Sequence, residues 1–300
     1  MKSSKLGFAR ETKSKPQFWS KNSVYLGVIP FFLLTFVFLI YPTIYVVNGS
    51  YRDLNGNISL KVFRATFEDP STKSAFLNSL ELSSKTALLG AILGALVTWA
   101  LSSGKDGRFR KIALSLSGVL SQFGGVMLTF AFLATFGFNG LISSVFAKHL
   151  PDSSLAQSTW LYGMNGLTVV YTFFQIPLMV LVFFPSFQNM KNEWKEASYA
   201  LGGTNFEYWR RVGIPVLLPS FLGATLLLFT NAFSAYATAA SLITNGTYLT
   251  PLQVADALSS EVGGANASVA STLSLFMVFV VVTVMVIYSL LRRRVSRWEK

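Results

Sequence analysis

Six long apolar runs dominate the 300-residue chain, at approximately 24–47, 80–101, 112–136, 166–187, 220–241 and 268–291. A bilayer core demands about 20 consecutive apolar residues in helical form, because no water is present there to satisfy an exposed backbone. Each run meets that length. The expected fold is all-α, a polytopic membrane protein with six transmembrane helices in one domain over residues 23–291. Composition agrees, since 52% hydrophobic and 13% charged residues leave too few polar side chains to cover a water-exposed surface. Pro30, Pro42 and Pro177 fall inside the first and fourth runs and predict local kinks, because proline removes a backbone donor and crowds the preceding turn.

Basic residues give the orientation. Of 25 lysines and arginines, six lie in the lead 1–22, four follow the second run (Lys105, Arg108, Arg110, Lys111), four follow the fourth and five fall in the tail 292–300. With six spans all of these share one side, which places both termini in the cytoplasm. The alternate connections hold Arg52, Lys61, Arg64 and Lys73, then Lys148, then none. Those stretches, 48–79, 137–165 and 242–267, are rich in Gly, Ser, Asn and Pro and read as external loops. The lead is polar and basic, and the run after it is long enough to stay as an anchor rather than be cleaved as a signal peptide. The net charge of +12 is parcelled between apolar runs as topology signals are, not gathered as a nucleic-acid footprint, so no nucleic-acid partner is expected.

Several chemistries are excluded. The chain has no cysteine and one histidine, His149 in an external stretch, so neither a thiolate site nor a multi-histidine metal cluster can form. Ser103-Gly104-Lys105-Asp106 lacks the first glycine and the hydroxyl of a phosphate-binding loop, so the chain is not an ATPase.

The loop 188–213 is unlike an ordinary connector. Trp194, Ala197, Ala200 and Leu201 form an apolar strip, and Gly202-Gly203 offers a sharp turn where positive φ costs little. Asn205 can cap a second short helix carrying Phe206, Tyr208, Trp209, Arg210 and Arg211 before Pro215 starts the fifth run. Two short amphipathic helices joined by glycines are expected, exposing a surface suited to a partner or to lipid.

Within it, Glu196-Ala197-Ser198, three residues, Gly202, nine residues, Val212, one residue and Ile214-Pro215 resemble the EAA loop of binding-protein-dependent ABC permeases. That pattern is Glu-Ala-Ala, three residues, Gly, nine residues, Ile, one residue, Leu-Pro; Ser198, Val212 and Ile214 are conservative departures. Asn78-Ser79-Leu80 resembles the start of the same family's core, so the likeness runs over about 78–291. It implies a type I ABC importer permease of the MetI-like fold in a bacterial plasma (inner) membrane. The implied partners are two ABC ATPase subunits, a second permease subunit (paralogue or identical copy) and an extracytoplasmic solute-binding protein. The loop would be the coupling helix, with Glu196 facing basic residues of the ATPase and Ala197 and Gly202 allowing close approach. ATP and Mg would be used by the ATPase, with no cofactor on this chain. A loop held at the membrane surface by Trp194, Trp209 and the arginines is the other reading.

Gln122, Gln175, Asn231, Ser234 and Tyr236 are polar residues at membrane depth, where an unpaired group is costly. They read equally as the lining of a solute path or as interhelical hydrogen bonds. The resemblance puts the fifth helix around the central cavity, which favours Asn231–Tyr236 for solute contact. Gly90 and Gly94 form a Gly-x-x-x-Gly pair for close packing within the subunit, and Glu81 and Lys85 form a helical ion pair. The stretch AFSAYATAASLITNGTYLTPLQVADAL looks like permeases of the polyamine, ferric iron and phosphonate groups, although only Glu81, Asp256 and Glu261 are acidic near the external mouth. The alternative function, an ion-coupled secondary transporter, would need buried acidic groups that the runs lack.

Overall fold

The structure, a computed structural model, describes residues 28–52, 57–104, 107–149, 159–243, 249–259 and 265–295. The lead 1–22, the tail beyond 295, Lys105 and Glu261 lie outside the described residues. Six helical segments are long and apolar enough to cross a membrane: Val28–Ser50, Pro70–Ser103, Gly125–His149, Met164–Gln188, Asn205–Ser234 and Ala267–Leu290. Shorter helices fill most of the rest, and among the described residues the β-structure is one isolated antiparallel bridge, Arg52 to Ile58.

The described residues up to Asn48 make up one unit and those from Gly49 a second. Most of α1 (Val28–Ser50) lies in the first. It contains a π turn, Phe36–Ile40, that ends two residues before Pro42. A proline ring collides with the carbonyl four residues back, and a wider turn moves that carbonyl aside. The kink expected at Pro42 therefore takes the form of a π turn.

In the second unit α2 (Lys61–Glu68) leads into α3 (Pro70–Ser103). α3 begins well before its apolar run because Asp69 caps it, accepting from the Ser71 and Thr72 N–H groups at 3.4 and 3.1 Å, while Pro70 occupies the first turn, where no donor is needed. The run 112–136, expected as one helix, is two: α4 (Arg108–Gln122) and α5 (Gly125–Phe136). They separate at Phe123–Gly124, where Gly125 takes φ +64°. The stretches read as external loops also hold helices, namely α2 and the first turns of α3, α6 (Leu141–His149) and α11 (Thr250–Ser259). α7 (Met164–Gln188) stays helical through Pro177 and Pro185. α8 (Asn192–Ala200), α9 (Asn205–Ser234), α10 (Ala237–Leu242) and α12 (Ala265–Val295) complete the order.

The second unit is organised on α3 and α7, which pack together along much of their length, with α9 against both and α4 against α7. Glycines set this approach. A Cβ on Gly90 would stand 2.7 Å from the Gln175 Cβ, and one on Gly94 2.5 Å from the Met179 Cβ. Lipid is as apolar as leucine, so helices in a membrane are held by close packing more than by water exclusion, and small residues at the seam make it tight. Ala87, Ala91, Met179, Phe183, Leu228 and Phe233 form the core beside it. The Gly90/Gly94 pair thus serves packing within the chain, as its spacing predicts.

Candidate functional site

The loop 188–213 folds as an elbow. α8 has no buried residue. It ends where Gly202 takes φ +79°, a left-handed value that glycine adopts without a Cβ penalty, and Gly203 N–H returns to the Ser198 carbonyl at 2.9 Å. α9 then starts at a capping box. The Thr204 hydroxyl accepts the Glu207 N–H at 3.3 Å, and the Glu207 carboxylate accepts the Thr204 N–H at 2.9 Å. Asn205, expected as the cap, is displaced from that role by its neighbour; its Oδ1 accepts from the Tyr199 hydroxyl at 3.3 Å instead.

The second limb is not a separate short helix. From Asn205 the chain stays helical to Ser234, with a π turn at Trp209–Gly213 that again ends two residues before a proline, here Pro215. The widening that removes the clash with the ring also keeps the rod unbroken. Trp209 fixes its foot: the ring lies 6.3 Å from Phe187 at the end of α7, and a Cβ on Gly213 would come within 2.5 Å of it.

Between the limbs lies a cleft of about 540 Å³ lined by Trp194, Ala197, Ser198, Gly202, Glu207 and Val212, among others. Leu201 is 89% and Phe206 71% exposed beside it, an apolar surface of the kind that marks a contact site. Ile214 and Pro215 lie exposed on the adjoining turn. Glu207 stands 3.8 Å from Arg211, whereas Glu196, exposed on α8, makes no ion pair among the described residues. Four of the seven EAA-like positions, Ala197, Ser198, Gly202 and Val212, therefore meet in one cleft. Thr204 and Glu207 escaped the sequence reading although Thr-x-x-Glu is a capping signal.

The five polar residues at membrane depth divide. Gln175 is fully buried on α7 and its Nε2 donates to the Thr86 hydroxyl at 3.0 Å, an interhelical hydrogen bond of the kind its depth suggests. Gln122, Asn231, Ser234 and Tyr236 are exposed on the single chain. They lie at two helix breaks that adjoin: Gln122 ends α4 just before Phe123–Gly124, Asn231 and Ser234 end α9, and Tyr236 sits in the break before α10. A Cβ on Gly125 would lie 3.5 Å from the Ala237 Cβ, and the Thr129 hydroxyl reaches the Thr238 carbonyl at 3.5 Å. The Tyr171 hydroxyl donates to the Ala235 carbonyl at 2.7 Å, satisfying an acceptor that the break frees. Glu81 and Lys85 form the expected ion pair on an exposed face.

No protein-family model matches the chain. Over 186 residues, 61% of this chain and 64% of the relative, it is 26% identical to a Helicosporidium sp. subsp. Simulium jonesii protein named as a sulfate transport system permease protein, cysT. The match thus spans less than two thirds of that relative. Over 219 residues, 69% of this chain and 72% of the relative, it is 25% identical to a Salmonella typhimurium protein named for 2-aminoethylphosphonate transport, the permease protein PhnU. The chain is a homologue of ABC transporter permeases. Such homologues are transporter subunits and not enzymes. The permease fold extends further than the sequence match. A chain of the bacterial alginate ABC transporter, crystallised with an alginate pentasaccharide-bound periplasmic protein, superposes with TM-score 0.70 over 94% of this permease homologue and 99% of that chain, at 14% identity. With its six apolar helices, this permease homologue is a multi-pass membrane protein.

Proposed function

We propose that the chain is the membrane-spanning permease subunit of an ABC importer, moving a small polar solute inward while a separate subunit hydrolyses ATP. The observation that carries this reading is the unbroken helix Asn205–Ser234. One end of it forms the elbow with its exposed cleft, and the other ends at the exposed polar cluster of Asn231, Ser234 and Tyr236. An ATPase that grips the elbow displaces the polar cluster by rigid-body tilt, a conformational step with no chemistry on this chain. Glu196 is the carboxylate left for a basic partner, Ala197, Ser198, Gly202 and Val212 shape the cleft, and Ile214 and Pro215 carry it into the rod. The polar face, with Gln122, lines the path. A second permease subunit, identical or paralogous, closes that path from the other side. ATP and Mg belong to two ATPase subunits on the cytoplasmic face, with an extracytoplasmic solute-binding protein opposite and both termini of this chain in the cytoplasm of a bacterial plasma (inner) membrane.

Of the solutes the sequence suggests, the phosphonate type is favoured over polyamine and ferric iron. The supporting observations are relatives named for sulfate and 2-aminoethylphosphonate, both tetrahedral oxyanions, and a polar cluster whose four named members are neutral.

The test is affinity purification of the tagged chain in mild detergent, with mass spectrometry of what co-purifies and an ATPase assay. Recovery of an ATPase carrying a phosphate-binding loop, lost on deleting 196–202, supports the importer. A stable chain recovered alone and without ATPase activity under several extraction conditions overturns it in favour of an ion-coupled transporter.

A further inference from the structure

A second cavity, of about 180 Å³, lies where α2, α3, α11 and α12 meet, far along α3 from the elbow. A small polar solute does not suit it, because its lining is mostly apolar. Its walls decide the chemistry. Phe67, Phe76 and Phe276 surround it, with ring centroids 4.8 Å apart for Phe67–Phe276 and 4.4 Å for Phe76–Phe276, and Leu273 closes one side. Four threonines also line it, yet their hydroxyls are engaged elsewhere. Thr66 donates to the Val62 carbonyl at 2.8 Å, Thr272 to the Ser268 carbonyl at 2.8 Å and Thr72 to the Asp69 carboxylate at 3.1 Å, while Thr250 is 3.4 Å from the Ser79 hydroxyl. With these hydroxyls engaged, the wall of the cavity is predominantly apolar.

The exception is Lys73, exposed among the lining residues and without an ion pair among the described residues. It belongs to the connection 48–79, which keeps four basic residues on the side where such residues are otherwise sparse. Neighbouring charges do not neutralise it. Glu68 is taken by Arg64 at 2.8 Å, and Asp69 by the first turn of α3. In a protein that crosses a bilayer, an alkyl-sized apolar cavity with an unpaired ammonium beside it matches a lipid whose head is negative.

We propose that this cavity holds part of one acyl chain of an anionic phospholipid, with Lys73 engaging the phosphate. The site is separate from the elbow and the polar cluster, and it does not depend on what the protein transports. It gives Lys73 a role that the positive-inside pattern does not supply.

The experiment uses the full chain, with any co-purifying subunits, in bilayers doped with phosphatidylglycerol carrying a photoreactive diazirine in one acyl chain, and maps adducts by mass spectrometry. Adducts are expected on the segments that contain Phe67, Phe76 and Leu273–Phe276. Lys73→Gln lowers their yield about fivefold, the equilibrium shift for losing one cation beside an anionic lipid. Lys73→Arg restores it. Leu273→Trp, which fills the cavity, removes the adducts, with elution in detergent checked to confirm that the fold is kept. Equal labelling by the phosphatidylcholine analogue overturns the anionic assignment. Adducts confined to other segments, or labelling unchanged by Leu273→Trp, overturn the cavity itself.

Discussion

The elbow carries two carboxylates with different commitments. Glu207 is consumed locally, accepting the Thr204 N–H and facing Arg211, so its charge helps fold the turn. Glu196 is exposed on a helix with no buried residue and meets no cation among the described residues. A partner that buries the elbow must therefore supply a basic group to Glu196, since a carboxylate desolvated alone is strongly unfavourable. Removing one partner of such a pair costs about 2–5 kcal/mol, more than a tenfold loss in affinity. Glu196→Lys should accordingly lower recovery of the ATPase and solute uptake at least about tenfold while leaving detergent elution unchanged. Uptake by the variant equal to that of the parent chain removes Glu196 from the coupling role. The division between the two glutamates was only half readable beforehand. Glu196 stood out by spacing, but Glu207 needed its capping signal to be weighed against the neighbouring Asn205, and both residue types cap helices well.

Helices proved legible where one physical requirement acts over many residues and illegible where a single residue decides. An apolar run of about 20 residues reports a span because every position contributes. The start of α3 depends on Asp69 and Pro70 alone, and the break between α4 and α5 on Phe123-Gly124-Gly125, where α4 is much less apolar than α5. Both π turns lie just before a proline, and the sequence shows the proline but not which of kink, break or widened turn answers it. Gly94 tests the α3–α7 seam. Its side chain would drive into Met179 and stand 2.9 Å from the Ile176 carbonyl, whereas a Cβ on Gly118 in α4 meets nothing within 4 Å. Gly94→Leu should destabilise by about 1–3 kcal/mol or more, the cost of overpacking, and lower the temperature at which the detergent-solubilised chain aggregates. Gly118→Leu should leave that temperature nearly unchanged. Equal behaviour of the two variants would mean that the seam opens without cost.

At the scale of the molecule, function rests on which end of Asn205–Ser234 faces which side, because the rod ties the elbow to the polar cluster whatever the orientation. Basic residues decide this in principle: nineteen of 25 lie on the side assigned to the cytoplasm, and the elbow is on that side. The chain contains no cysteine, so single introduced thiols report cleanly. Leu201→Cys, on the elbow, should react with a membrane-impermeant maleimide only after cells are permeabilised. Asn57→Cys, exposed in the connection 48–79, should react in intact cells. The reverse pattern would put the elbow outside, where no ATP is available, and the same rod would then transmit a signal from an external partner inward. Labelling of both thiols in intact cells would mean that the count of crossings between them is even. In that case the division of the third run at Phe123–Gly124 would mark a chain that turns back within the membrane, rather than a span with a break in it.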